Sequence, residues 1–421
     1  MSNGVSDVQT RADSPAPAWS RAFAQDYQAL FVTQWSPYLG AALLVLVNLA
    51  LIAGGYFWGV FSGVRLWGDH FNNLIGLGPL LGISPALDNP LTHRISIMNI
   101  ALLLGAFSAA LLASQFTIRR APKVEYVYGA VGGTLMGIGA LFAGGCTTGG
   151  FFTPLLFSSP AGWMMLLGLL VGAFLGLKLL LWSMEHIWWG TAAPRASSRK
   201  PLLRGFHPLL GLLVLALVGW WAGKWLLSGE TGLAERGLLI LGGLAIGFIL
   251  HRSRFCLSRA VREPLMTGEG ELTKAFIAAV AVGAPAAALI LAHHDPYLAI
   301  PPRFWLGSLV GGVIFGVGMI FAGGCASGSL WRMGEGHLKL WVALFFFAWS
   351  GSTFGALLGR TGIFATEMNL DLLEETALGV EAWWPALTGG WGVTWLATFA
   401  LLGLWYALVT YNEATERFTV Q

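Results

Sequence analysis

The sequence predicts an all-α integral membrane protein of about ten transmembrane helices, with inverted structural repeats and short re-entrant half-helices. Three observations carry that expectation. Of the 421 residues, 56% are hydrophobic and only 11% charged, whereas soluble globular domains carry about 25% charge. Uncharged runs such as "LGAALLVLVNLALIAGGYFWGVF" are long enough to cross a hydrocarbon core of about 30 Å. Finally, "FAGGCTTG" at 142–149 returns as "FAGGCASG" at 321–328, so two of the three cysteines share one glycine-flanked setting.

Taken in order, apolar runs place spans at 38–60, 95–116, 124–145, 161–184, 207–227, 235–251, 273–293, 303–324, 338–360 and 390–411. Two stretches, near 71–84 and near 147–158, are too short or too glycine-broken to cross and read as half-helices or re-entrant loops. Trp188, Trp189, Trp220, Trp221, Trp383 and Trp384 stand near run ends, where amphipathic indoles favour the membrane interface. The first thirty residues are polar and hold no compact apolar stretch of a cleavable signal. A net charge of +3 spread over short loops gives no basic patch for nucleic acid.

Basic residues set the expected orientation. With the amino terminus inside, the cytoplasmic side receives Arg119, Arg120 and Lys123, then Arg195, Arg199, Lys200 and Arg204. It also receives Arg252, Arg254, Arg259, Arg262 and Lys274, then Arg332 and Lys339. With the tails and Lys178, eighteen of 24 Lys and Arg lie inside, leaving Arg65, Arg94, Lys224, Arg236, Arg303 and Arg360 outside. Glu367, Asp371, Glu374, Glu375 and Glu381 fall in the last external loop. Both termini are therefore expected in the cytoplasm.

Shifting the chain by 179 residues lays "VGGTLMGIGALFAGGCTTG" (131–149) on "VGGVIFGVGMIFAGGCASG" (310–328), with eleven of nineteen positions identical. Glycine-rich helices match at a few positions by composition, but not at eleven including a cysteine, so an internal duplication is the better reading. The copies sit on spans three and eight, and an odd separation brings them into the membrane from opposite faces. The expected organisation is a cytoplasmic segment 1–36, a first repeat 37–206, a linking helix 207–234 and a second repeat 235–360. Residues 361–421 follow as external loop, last helix and tail. Inverted repeats place a substrate site near the midplane, where helices break. Gly144 and Gly145, like Gly323 and Gly324, suit such breaks. Thr147, Thr148, Gly149 and Gly150, or Ala326, Ser327 and Gly328, then begin short second helices whose amides and hydroxyls suit an anion. Gly129, Gly133, Gly137, Gly312 and Gly316 instead read as close-packing faces.

Cys256 lies in "HRSRFCLSRA", among Arg252, Arg254, Arg259 and Arg262. Such a cluster attracts anions, although the positive-inside rule alone also accounts for the arginines. "GFILHRSRFCLSRA" with the paired "FAGGC" phrases resembles the YeeE/YedE-type sulphur (thiosulfate) transport family of bacterial inner membranes, over roughly residues 38–411. The resemblance implies a permease for thiosulfate or a similar small anion, with Cys146, Cys325 and Cys256 handing it from sulphur to sulphur and no cofactor. It also implies a cytoplasmic sulphur-carrier partner. The residues expected at the substrate are these cysteines with Gly144, Gly145, Thr147, Thr148, Gly323, Gly324, Ser327 and Arg254; Arg65 and the Arg252–Arg262 cluster are expected to gather anions at the two mouths. One departure stands out. Many family members carry an arginine–cysteine loop in the first half, where this chain reads "GYFWGVFSGVRLWGDHF", with Arg65 but no thiol.

Three other readings compete. A transporter of another sulphur or selenium species uses the same residues. A membrane thiol–disulfide oxidoreductase needs paired cysteines, and none here are close in sequence. A metal site would draw on His251, His293, His294 and His337, which lack acidic or thiol neighbours at ligand spacing. No G-x-x-x-x-G-K-[ST] phrase is present, and carboxylates are almost absent from the expected spans, which disfavours a carboxylate proton relay.

Overall fold

A computed structural model of the chain describes residues 24–187, 206–292, 303–368 and 374–420. Trp188, Trp189, Arg195, Arg199, Lys200, Arg204, His293, His294 and Asp371, together with residues 1–23, lie outside the described residues. Long helices occupy all ten expected positions: α1 (Pro37–Ala53), α2 (Arg94–Leu112), α3 (Lys123–Ala143), α4 (Pro160–His186) and α5 (His207–Leu226). Then come α6 (Thr231–Ser253), α7 (Glu271–Leu291), α8 (Leu306–Ala322), α9 (Leu338–Gly359) and α10 (Trp391–Thr415). Among the described residues, nine helical segments are long and apolar enough to cross a membrane, and α1 with the preceding Ala24–Val32 turn, bent by 74°, makes a tenth. Local chemistry starts them where expected. Ser36 accepts the Leu39 amide at 3.2 Å and Ser159 the Ala161 amide at 3.2 Å, each followed by a proline at the first helical turn.

Boundaries differ in instructive ways. The first helix ends at Ala53 rather than at 60, because Gly54-Gly55 turns the chain, with Gly55 at φ +80°. The short helix expected near 71–84 begins earlier, at Phe61, and runs to Leu74. Its Arg65, Asp69 and His70 read as loop, yet Gly63, Val64, Leu66, Gly68 and Asn72 form a buried face. A further short helix, Leu257–Met266, lies where only a cluster of arginines was expected. Between α9 and α10, strands Glu367–Met368, Glu374–Thr376 and Gly379–Val380 pair antiparallel in that order.

Helix contacts come in exchanged pairs. Packing of α1 on α7 is answered by α6 on α2, and α4 on α8 by α9 on α3. The Phe61–Leu74 helix packs on α9 as Leu257–Met266 does on α4. At the centre, α3 crosses α8 backbone to backbone. A Cβ on Gly132 would lie 2.3 Å from Ala322 N and 2.6 Å from Gly318 O; one on Gly311 would lie 2.4 Å from Ala143 N and 2.6 Å from Gly139 O. Position 132 thus meets 322 as 311 meets 143, with the chains running in opposite directions. Gly133 and Gly137 face α9, and Gly312 and Gly316 face α4, at similarly short range, so these glycines serve close packing as their spacing suggests. Helix α5 packs on α2 and α6 with only His207, Gly211, Val218 and Ala222 buried.

Candidate functional site

All three cysteines are free and buried, and each immediately precedes a short helix: Thr147–Phe152, Leu257–Met266 and Ala326–Gly334. Their local geometry repeats. Two residues before each thiol the backbone is left-handed, at Gly144 (φ +76°), Arg254 (φ +55°) and Gly323 (φ +82°). Glycine takes that conformation freely, whereas arginine does so at a cost of about 1 kcal/mol. Two residues after each thiol stands a hydroxyl: Cys146 Sγ lies 3.0 Å from Thr148 Oγ1, Cys256 Sγ 3.4 Å from Ser258 Oγ, and Cys325 Sγ 3.5 Å from Ser327 Oγ. Each cysteine carbonyl then accepts the amide four residues on, from Gly150, Ala260 and Ser329. The sequence carries this pattern as C-T-T, C-L-S and C-A-S; Thr148 and Ser327 were expected at the substrate and Ser258 was not.

These breaks converge. A methyl on Gly328 would sit 3.1 Å from Cys256 Sγ and 3.5 Å from Cys325 Sγ, so the two sulphurs share the space over that glycine. Cys325 also has the hydroxyl of Thr147, the residue after Cys146, as a neighbour. That hydroxyl makes no hydrogen bond of ordinary geometry, and neither do Ser329 Oγ, Trp58 Nε1 or Trp331 Nε1, all buried. Buried polar groups are nearly always paired, so these four atoms are unusual in having no partner.

Charge near the thiols differs from expectation. Arg254, expected at the substrate, pairs with Glu335 and Gln115 and lies over Trp331. Arg252 is fully buried and holds the amino-terminal turn through the carbonyls of Leu30 and Thr33. Arg259 pairs with Glu263 at 2.5 Å. The positive charges felt at Cys256 belong instead to Arg332 and Arg262. Arg332 also ties down the left-handed break by donating to Gly323 O at 3.0 Å. Glu335, unnoticed in the sequence, is 1% exposed and gathers His251 at 3.0 Å, His337 at 3.4 Å, Arg119 at 3.9 Å and Arg254. In the first half the residue preceding the equivalent short helix is Val60, fully buried, so no thiol answers Cys256 there.

Long apolar helices that cross at breaks carrying buried thiols and hydroxyls define a polytopic membrane protein, and no group of His, Cys, Asp and Glu among the described residues could hold a metal. The chain belongs to the sulphur transport family, which matches residues 7–175 and 252–421. It is 28% identical over 374 residues to the probable transporter YedE of Salmonella typhimurium, covering 85% of this chain and 84% of that one. It is also similar to the thiosulfate transporter TsuA of Escherichia coli, 41% identical over 110 residues, covering 25% of this chain and 30% of TsuA. The Spirochaeta thermophila TsuA is 29% identical over 189 residues, covering 44% of this chain and 56% of that one.

Proposed function

We propose that this protein takes up thiosulfate, or a closely similar small sulphur-containing anion, into the cytoplasm of a bacterium along a route lined by Cys146, Cys325 and Cys256. The carrying observation is the shared space of the Cys256 and Cys325 sulphurs over Gly328, flanked by the unpartnered Thr147 hydroxyl. Moving a dianion through hydrocarbon uncompensated is prohibitive. Thiols and hydroxyls replace water with donors weak enough to release the ion at the next station. The two TsuA relatives support thiosulfate as the substrate.

The route runs between two halves entering from opposite faces, a reading supported by the exchanged helix contacts and by the reciprocal meeting of 132 with 322 and 311 with 143. The amino-terminal face is cytoplasmic by the distribution of basic residues. On this reading Val60 makes the external half of the route thiol-poor, and the soft sulphur end first meets a thiol at Cys146.

The test is uptake of thiosulfate labelled in its outer sulphur by cells lacking their own permeases. Parental cells are expected to accumulate label. Cys146→Ala and Cys325→Ala are each expected to lower flux roughly tenfold or more, the worth of a lost hydrogen bond to a charged group, at unchanged membrane yield. Parental flux in both variants ends the thiol relay; no uptake by a well-expressed parent removes thiosulfate.

A further inference from the structure

Arg65, on the Phe61–Leu74 helix, and Arg303, three residues ahead of α8, come together from distant parts of the chain. Arg303 Nη1 donates to Leu141 O at 2.7 Å near the end of α3. Arg65 Cζ and Leu141 Cδ2 each lie 3.1 Å from where a methyl on Gly355 would stand. The Arg303 guanidinium also rests over the Phe364 ring, 4.5 Å from its centre. Two features mark this pair, and Arg262 shares them. Arg94, Arg119, Arg254, Arg259, Lys274 and Lys339 all have a carboxylate within ion-pair distance, and among the described residues Arg65 and Arg303 have none. The Nε of each is buried and without a partner.

Two like charges held together and half-buried repel, and burial with the neighbouring Arg65 charge pushes Arg303 down to about 10. An anion between them reverses the balance. Guanidinium presents a planar fork of N–H donors that fits the oxygens of a carboxylate, phosphate or sulfonate, often two at a time. A free Nε on each side leaves such a fork open. Leu141, whose carbonyl holds Arg303, stands five residues before Cys146. Gly355 and Gly307 leave room: a Cβ on the first would press on the Arg65 guanidinium, and on the second would lie 3.0 Å from Arg303 Cβ.

We propose that Arg65 and Arg303 form an oxyanion site on the face opposite the amino terminus, which selects sulphur species carrying an SO₃ group. This rests on the uptake reading above and extends it. The arginines take the hard, charge-bearing end of a thiosulfate-like anion and leave its terminal sulphur for the thiols. Sulfide, which has no oxygen, is a poor ligand here. Sulfate binds but has no soft end to pass on.

The experiment measures concentration dependence of thiosulfate uptake for the parent, Arg65→Gln, Arg303→Gln and the corresponding lysine variants, with unlabelled sulfate and sulfide as competitors. Each glutamine variant is expected to raise half-saturation about tenfold or more, with maximal rate within twofold and folding checked by monodisperse elution in detergent. Lysine, which keeps charge but loses the fork, falls between. Sulfate competes in the parent and less in the glutamine variants; sulfide does not. Half-saturation within twofold of the parent in the lysine and glutamine variants overturns the site. If the parent carries no thiosulfate, the uptake reading fails and the site is judged separately, by titrating sulfate and thiosulfate into the purified chain. Binding weakened about tenfold by Arg303→Gln sustains it, and no binding by the parent overturns it.

Discussion

Alanine at Gly132 is expected to prevent accumulation of folded protein, a severe outcome for one methyl group. That methyl would lie 2.3 Å from the Ala322 nitrogen and 2.6 Å from the Gly318 oxygen. Both are backbone atoms of α8, so no side chain can rotate aside. Overpacking a fitted core costs about 1–3 kcal/mol, and more where backbone must move. Here the two central helices must separate, and in lipid their association rests on close packing. Alanine at Gly311, whose methyl would press on Ala143 N at 2.4 Å, is expected to do the same. Gly219 and Gly403 are internal controls, since nothing lies within 4 Å of a methyl at either. Fluorescence-detected size exclusion of the four variants checks this. Native yield from Gly132→Ala would show that α3 and α8 do not meet this closely.

Glu335 is the second position of large expected effect. Its carboxylate is 1% exposed and faces two histidines and two arginines from the α2–α3 connection, α6 and the end of the Ala326–Gly334 helix. Removing one partner from a buried ion pair destabilises by about 3–5 kcal/mol, because the opposite charge stays buried. Glu335→Gln keeps the shape and loses the charge, leaving Arg254 unpaired. Burial alone would push the Glu335 carboxyl up. Hydrogen bonds from His251 and His337 and the charge of Arg254 outweigh it and hold the group well below the usual carboxylate range. A depressed carboxyl binds protons more readily when unfolded, so its contribution is full above the ordinary value of 4.5 and is lost as pH falls below it. The gap in thermal stability between parent and Glu335→Gln is therefore expected to be widest near neutral pH and to narrow below about 4.5. A gap that stays constant down to acid pH would sink this assignment.

Composition and hydropathy placed all ten long helices, because twenty apolar residues in a row leave a chain little alternative. The Gly-Gly-Cys breaks were also legible, since glycine before a thiol in two equivalent places is a local signal. Less was legible where polar residues serve packing. Arg65, Asp69 and His70 disguised the helix that buries Val64 and Leu66. The arginines around Cys256 illustrate a different limit. Composition counts four of them alike, yet Arg252 holds a turn, Arg254 and Arg259 pair with acids, and only Arg262 shares its field with the thiol. Arg332 and Glu335 gain their roles through contacts across distant chain segments, which no window of sequence reveals. The hydroxyl two places after the cysteine was legible at Thr148 and Ser327 but not at Ser258, because there the left-handed turn before the thiol is supplied by Arg254 and not by a glycine.

The reciprocal crossing of α3 and α8 couples the two helices residue by residue. A residue enlarged at 132 intrudes on 318 and 322, and one enlarged at 311 intrudes on 139 and 143. Neither half can drift alone along that seam, and identity persists there at Gly132 and Gly311 and at Gly139 and Gly318. Just past it the copies part, with Thr147-Thr148 in one and Ala326-Ser327 in the other. A seam that resists change thus leaves the segments just past each cysteine free to differ in the hydroxyls they present.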